Sequence, residues 1–386
     1  GKVSDTETLN ALAGAMSSAY RNSSVALFTL AIPEQDLSDG IIDIYIAEGF
    51  VKNVVITENG EPSERSRLRG YLDPVEGQRP AHRATYEKGL TLASRVPGFK
   101  VNPAITSAGE PGAINLVLDV EPRKNKFFAG YDNRESRLLD SGRLSAGTVL
   151  YNTVRAGDEL NSNLSISTDG EQSRLVEAGY RTPVGTAGAL LELAGAYQET
   201  RPTSFPIEGQ ATQVSAGVTH PLLLDFRNEI SLNARLDHTR SSNAAFGSVF
   251  ANDEVTAMRF GTTGRKTSKF RALAGNLTYS KGLDVSGAQT STLNGDMDFD
   301  KVTGSGRFVQ QIGKMAFLRL SGTGQWASDI LPANERFVIG GARFGRGFEN
   351  GLVVIDKGYA ASIEPAWRPI AKGAVKQSEL YVFADY

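Results

Sequence analysis

The sequence predicts small α+β modules followed by an all-β antiparallel transmembrane β-barrel, with the closing strands expected beyond the C-terminal end of the chain. Three observations predict it. Helical periodicity is confined to the first third of the chain, the rest is a succession of strands of about ten residues with no helix between them, and those strands alternate apolar and polar side chains at period two.

A chain of 386 residues with 41 glycines and 22% charged side chains is long enough for several folded units and is not disordered by composition. Its 41 basic and 43 acidic residues leave a net charge of −2, so no global field gathers nucleic acid or anionic lipid. Cysteine is absent, which excludes disulfides, thiolate metal sites and a cysteine nucleophile, and suits a chain that crosses an oxidising periplasm unfolded. No apolar run of about 18 residues occurs and the mean hydropathy is negative, so a helical span is excluded. A membrane β-strand escapes such an average, because every second residue in it is polar. The chain opens at Gly1 without a cleavable apolar segment and reads as a mature fragment.

The first helix is announced by a capping-box spacing, Ser4 and Glu7, after which Leu9, Leu12, Ala13, Met16 and Tyr20 fall on one face. A second begins near Pro80, aligns Tyr86, Leu90 and Ala93, and stops at Pro97 and Gly98. Short strands follow each: 26–32, 41–48 and 51–57 after the first, then 101–106 and 113–120 after the second. A helix-then-hairpin unit that appears twice predicts two tandem modules, an N-terminally truncated one over 1–50 and another over 51–122, ahead of a barrel over 123–386.

Within the barrel region Ile230, Leu232, Ala234 and Leu236 point one way while Glu229, Ser231, Asn233, Arg235 and Asp237 point the other. Leu160, Leu164 and Ile166 oppose Asn161, Asn163 and Ser165, and Ala316, Leu318, Leu320 and Trp326 oppose Arg319, Ser321, Thr323 and Gln325. In the last segment Leu380, Val382, Ala384 and Tyr386 oppose Glu379, Tyr381 and Asp385, with Phe383 an exception on the polar face. About thirteen such strands are expected, and a tilted strand needs roughly nine to eleven residues to cross a bilayer against five or six in a soluble sheet. That length disfavours a soluble sandwich or solenoid. Connections alternate between short, as at 181–188, and long, as at 281–301 and 329–353. An open edge in lipid leaves backbone groups unpaired, so a chain ending in a well-patterned strand implies closing strands downstream.

Several stretches resemble one family, the TpsB transporters of two-partner secretion, over nearly the whole chain. "LAIPEQDLSDGIIDIYIAEGFVKNVVI" from Leu30 resembles the end of a first POTRA module and its junction with a second, and "LTLASRVPGFKVNPAITSAGEPGAINLVLDVEP" resembles the closing half of the second. "FAGYDNRESRLLDSGRLSAG" resembles the first barrel hairpin, with Ser141 where the family more often has Thr. "FVIGGARFGRGFENG" from Phe337 is similar to the family's long extracellular loop with its [VI]-R-G-[FY] tip; Gly345 replaces the aliphatic residue and Arg346, Gly347 and Phe348 match. The resemblance implies that this loop folds back into the lumen and that its arginine meets an F-x-D aspartate on a later strand, here Phe383 and Asp385. Alternation places Asp385 on the polar face, which allows the contact. Read without the resemblance, the loop is a solvated glycine-rich excursion in which Arg343 is an equally available cation.

The resemblance further implies an outer-membrane pore whose periplasmic POTRA modules capture a secreted TpsA-like exoprotein, such as an adhesin, a cytolysin or a toxin. Small sheets with exposed edges accept an incoming strand. The candidates for that contact are Ile41, Ile42 and Ile44 on the expected strand 41–48, and Tyr86 and Leu90 beside the second helix, where core packing explains the last two equally well. Enzyme chemistry is not expected. His82, His220 and His238 share no metal-ligand spacing, and Asp296, Asp298 and Asp300 begin a calcium-like run that has Lys301 at its sixth position and Arg307 at its twelfth. "GTTGRKT" from Gly261 lacks P-loop spacing and there is no GxSxG, so neither a cofactor, a metal nor a nucleotide is expected. The competing readings are an assembly factor of the same superfamily, a passive porin, and, third, a barrel hydrolase.

Overall fold

A computed structural model of the chain describes residues 6–35, 41–58, 61–62, 66–133, 139, 142–285, 287–341, 343–349, 351–369 and 377–386. Ser4 of the capping pair and Ser141 lie outside the described residues. The chain divides into two compact units: one reaches to Arg123 and includes Gly185–Gly188 and Leu224–Phe226, and the other holds the remainder.

In the first unit α1 (Thr6–Arg21) precedes an antiparallel pair, β1 (Phe28–Ala31) with β2 (Tyr45–Glu48). The ring of Tyr20 stacks on Phe28 at 5.0 Å between centroids and ties helix to strand. There follow β3 (Phe50–Glu58), β4 (Glu61–Pro62), α2 (Ser66–Leu72), α3 (Arg83–Ser94), β5 (Phe99–Ser107) and β6 (Ala113–Pro122), in a sheet of order β4-β3-β6-β5. The pair β3–β6 is parallel, with a register shift after Val51 that lets Phe50, Val51, Val54 and Ile56 all be buried. Alternate residues of β6, Leu116, Leu118 and Val120, join them against α2 and α3.

Three expectations change here. Helix α2 escaped prediction because seven residues hold about two turns, too few for a period to register, and Gly70 weakens the pattern further. Strand 41–48 forms only over Tyr45–Glu48, because Gln35 takes the backbone of Asp43 for itself: its Oε1 accepts the Asp43 N–H at 2.7 Å and its Nε2 donates to the Asp43 carbonyl at 3.0 Å. Ile41, Ile42 and Ile44 therefore precede the strand, Ile41 being 61% exposed. Tyr86 and Leu90, 8% and 5% exposed, lie in the core with Val51, Leu72 and Leu118, the packing role that the sequence allowed equally well.

The second unit is built on β7 (Lys126–Asp132), β8 (Arg143–Tyr151), β9 (Glu159–Ser167), β10 (Ser173–Val184), β11 (Ala189–Thr200), β12 (Ile207–Leu224), β13 (Asn228–Ala245) and β14 (Ser248–Thr267). It continues through β15 (Arg271–Leu283), β16 (Asp300–Ile312), β17 (Ala316–Ala327), a hairpin of β18 (Phe337–Ile339) and β19 (Val353–Ile355), then β20 (Gly358–Trp367), β21 (Leu380–Tyr381) and β22 (Ala384–Asp385). All but the hairpin form one 14-stranded antiparallel sheet in chain order, in which β21 and β22 share one position beside β20. Strands are 9 to 20 residues long from β8 to β17. The short turn expected over 181–188 is only 185–188, where Gly185 (φ 64°) and Gly188 (φ 93°) adopt left-handed backbone. The two long connections are 284–299 and 328–357.

The sheet's burial is inverted relative to a water-soluble one. Leu232, Leu236, Phe260, Leu277, Leu320, Trp326 and Ile363 are exposed, whereas Ser165, Ser231, Asp237, Ser280, Lys301, Gln325 and Ser362 are buried. Polar packing extends to the turns. Buried Asp158, between β8 and β9, accepts the backbone N–H groups of Thr153 (2.8 Å), Val154 (2.9 Å) and Arg155 (2.8 Å) and the hydroxyl of Tyr180 (3.1 Å). Burial pushes its carboxyl up, but those donors outweigh burial and hold it below its ordinary value.

Candidate functional site

The site is the tip of connection 328–357 and the strands that receive it. Gly340 (φ 117°), Gly341 (φ 93°) and Gly345 (φ 73°) turn the chain through left-handed backbone between the β18–β19 hairpin and the tip, and a Cβ on Gly340 would collide with the carbonyl of Glu349. Those turns deliver Arg346 to the buried polar face. Register does the rest: Ser362 of β20 stands opposite Asp385 of β22, and Glu364, two residues on, shares their face.

Asp385 receives Arg346 in full. Its Oδ2 accepts the backbone N–H groups of Gly345 and Arg346, both at 3.1 Å, and Nε of Arg346 at 3.2 Å, while Nη2 reaches Oδ1 at 2.9 Å. The remaining donors are used as well: Nη1 to Glu364 at 2.5 Å and Nη2 to the Ser362 hydroxyl at 2.7 Å. Phe383, the exception to the alternation, lies beneath the guanidinium with Cζ 3.7 Å from its ring centroid. Its position on the polar face is thus explained by a cation–π contact. Of the other matched residues, Gly347 stands in open space and Phe348 is 65% exposed.

Glu364 is shared. Arg319 of β17, directly opposite it in register, donates to it at 2.6 Å and makes a bidentate pair with Glu379 at 2.8 and 2.6 Å, which Arg368 also meets at 2.6 Å. Three carboxylates and three guanidiniums thus alternate in a chain from Asp385 to Arg368, and no member is left with an unbalanced neighbour. Sequence reasoning did not find Ser362, Glu364, Arg319, Glu379 or Arg368 as site residues. Alternation marks Arg319 and Glu379 as polar-face residues, but which charge meets which is a matter of register, which one strand read alone does not carry.

Beside the network lies a cavity of about 1050 Å³ lined by Arg343, Arg346, Phe344 and Phe337 on the loop side. Its wall carries a row of glycines in register on four successive strands: Gly264 opposite Gly275, Gly275 opposite Gly306, and Gly306 opposite Gly322. A Cβ at Gly264, Gly306 or Gly322 would meet nothing nearer than 3.6 Å, but it would stand on the exposed apolar face with Phe260, Leu277 and Leu320, while the alternating Thr263, Asn276, Ser305 and Ser321 turn their side chains to the cavity. Elsewhere, Asp298 and Asp300 of the calcium-like run both meet the Lys281 ammonium, at 3.0 and 3.1 Å.

Residues 112–386, more than half of the chain, match the family described as haemolysin secretion/activation protein ShlB/FhaC/HecB. The heme/hemopexin transporter protein HuxB of Haemophilus influenzae is 22% identical over 412 residues, covering 100% of this chain and 70% of that protein. The outer membrane transporter CdiB of Dickeya dadantii is 23% identical over 371 residues, 90% of this chain and 64% of that one. Among solved structures, CdiB from Escherichia coli superposes with a TM-score of 0.73 at 18% identity over 99% of this chain and 78% of its own. BamA from Haemophilus ducreyi, lacking POTRA domains 1–3, gives 0.54 at 13% identity, over 100% and 82%.

Proposed function

The chain belongs to the ShlB/FhaC/HecB haemolysin secretion/activation family, the TpsB transporters of two-partner secretion, and from that premise we propose that it captures one secreted exoprotein in the periplasm and passes it through an outer-membrane barrel. In this reading the 14-stranded sheet is barrel wall, with its exposed apolar face toward lipid. The first unit supplies two POTRA modules, over 1–50 and 51–122, and the 328–357 connection folds into the lumen as a plug. The observation that carries the reading is the Arg346 tip, locked by charge to Asp385 and Glu364 on the polar face of a sheet whose other face is greasy.

Recognition of the exoprotein is assigned to an edge of the β1–β2 sheet, which among the described residues has two strands and exposes Tyr45 and Ile46, with Ile41 just before it. An extended segment adds there as a further strand, and the backbone supplies the affinity. Tyr86 and Leu90 support this from within the core. HuxB bears the name of a heme/hemopexin transporter; for this chain the cargo is assigned only as a large secreted protein. No nucleotide is needed, since folding of the cargo outside draws the extended chain outward.

Arg346→Ala tests the plug. Secretion should fall about tenfold, the change that roughly 1.4 kcal/mol of coupling produces, while heat-modifiable mobility and surface level stay normal. Unchanged secretion would count against the reading. Capture is tested by immobilising the protein and offering the N-terminal segment of the large β-rich secreted protein encoded beside it. Binding instead to many unfolded barrel precursors would point to an assembly factor.

A further inference from the structure

Connection 328–357 is fastened at a second place, through partners other than those that hold Arg346. Its neck is the β18–β19 hairpin, closed at the base by Asp356, which accepts the Leu331 N–H at 3.0 Å and forms an ion pair at 3.2 Å with Arg336, whose Nε donates to the Leu331 carbonyl at 3.2 Å. Just before the hairpin stands Glu335, a buried carboxylate on a single 3-10 turn (Ala333–Glu335). Five successive strands of the wall converge on it. Arg259 of β14 grips it with two bonds, Nη2 to Oε1 at 2.6 Å and Nη1 to Oε2 at 3.2 Å. Arg259 is itself held by Asp237 of β13 and by the Ser280 hydroxyl of β15 at 2.9 Å. Lys301 of β16 pairs with the same carboxylate and donates to the Glu335 carbonyl at 3.0 Å. Gln325 of β17 donates to the Glu335 and Asp356 carbonyls, both at 3.0 Å, and so spans the two legs of the neck. Arg259, Ser280 and Lys301 stand directly opposite one another in register, so the wall presents one prepared row. Two buried anions, Asp237 and Glu335, meet Arg259 and Lys301, and half-exposed Arg235 also reaches Asp237 at 2.7 Å, in a place where a lone buried charge costs several kcal/mol.

We propose that Glu335 is a positioning residue that clamps the loop neck to the lumen wall independently of Arg346, so that the tip releases for transport while the neck stays seated. The charge sets share no residue, and the left-handed glycines Gly340, Gly341, Gly345 and Gly351 lie between neck and tip as the hinge. The inference rests on the reading of this connection as a lumen plug.

The absence of cysteine makes single reporters clean. Spin labels on Val338→Cys in the neck and Phe348→Cys at the tip, both exposed positions, report local mobility by EPR in the full chain reconstituted in lipid. Arg346→Ala should mobilise the label at 348 and leave that at 338 unchanged; Glu335→Gln should mobilise the label at 338 severalfold. The clamp is overturned if 338 is unmoved by Glu335→Gln, or if Arg346→Ala frees it equally. Should Glu335→Gln fail to assemble, Gln325→Ala decides, since it removes only two neutral hydrogen bonds: a mobilised 338 supports the clamp and an unmoved one ends it. Secretion by the parent protein is assayed alongside. A parent that secretes nothing speaks against the transport reading, whereas a secreting parent with an indifferent neck speaks against the clamp alone.

Discussion

Arg346 offers a planar fork to Asp385, Glu364 and Ser362 at once, with a ring beneath it. A point charge on a flexible stem cannot match that geometry, so Arg346→Lys should secrete closer to Arg346→Ala than to the parent. Phe383→Leu keeps the apolar bulk but loses the ring; with a cation–π contact worth about 0.5–2 kcal/mol, the secretion defect should be smaller than for Arg346→Ala. A defect as deep would show that the ring does more than carry the cation. Arg346, Phe383 and Asp385 were legible because the resemblance places them together. Glu364 and Arg319 were not, because their meeting depends on Arg319 lying opposite Glu364 across a strand pair that no local pattern specifies. Asp158 sets a pH dependence of its own. Its folded value lies below the ordinary one, so its contribution to stability is fully present above about pH 4 and is lost as pH falls through the folded value. Asp158→Asn should flatten that acid limb in detergent unfolding measured against pH; an unaltered limb would assign it to other carboxylates.

At the scale of elements, period-two alternation was the readable signal, because the large sheet carries apolar side chains on its exposed face and polar ones on its buried face. The same contrast makes a paired test. Leu232→Lys puts a charge on the apolar face of β13 and should cost about 2–4 kcal/mol if it lies near the bilayer midplane, seen as loss of folded, heat-modifiable protein. Asn233→Lys, one residue along and on the opposite face, should assemble normally. Equal damage from both would mean that the two faces do not differ in solvent. What the sequence concealed was short or borrowed. Helix α2 spans too few turns for a period, and the start of the expected strand 41–48 loses its backbone to the side chain of Gln35. The parallel pairing of β3 with β6 joins segments more than fifty residues apart, which hydrophobic pattern does not encode.

For the molecule as a whole, composition excluded a helical span and left a β-barrel open; alternation and the resemblance singled out the transporter family, and family membership agrees. The glycine row of the cavity wall was out of reach, since four glycines scattered over some sixty positions become a row only when β14 to β17 are laid side by side. Its members share the face of Phe260, Leu277 and Leu320, so the row scores a furrow of bare main chain across the apolar belt. Gly306→Leu should fill that furrow and leave assembly, export and single-channel conductance as they are; a narrowed conductance would mean that the face carrying Leu277 and Leu320 looks inward.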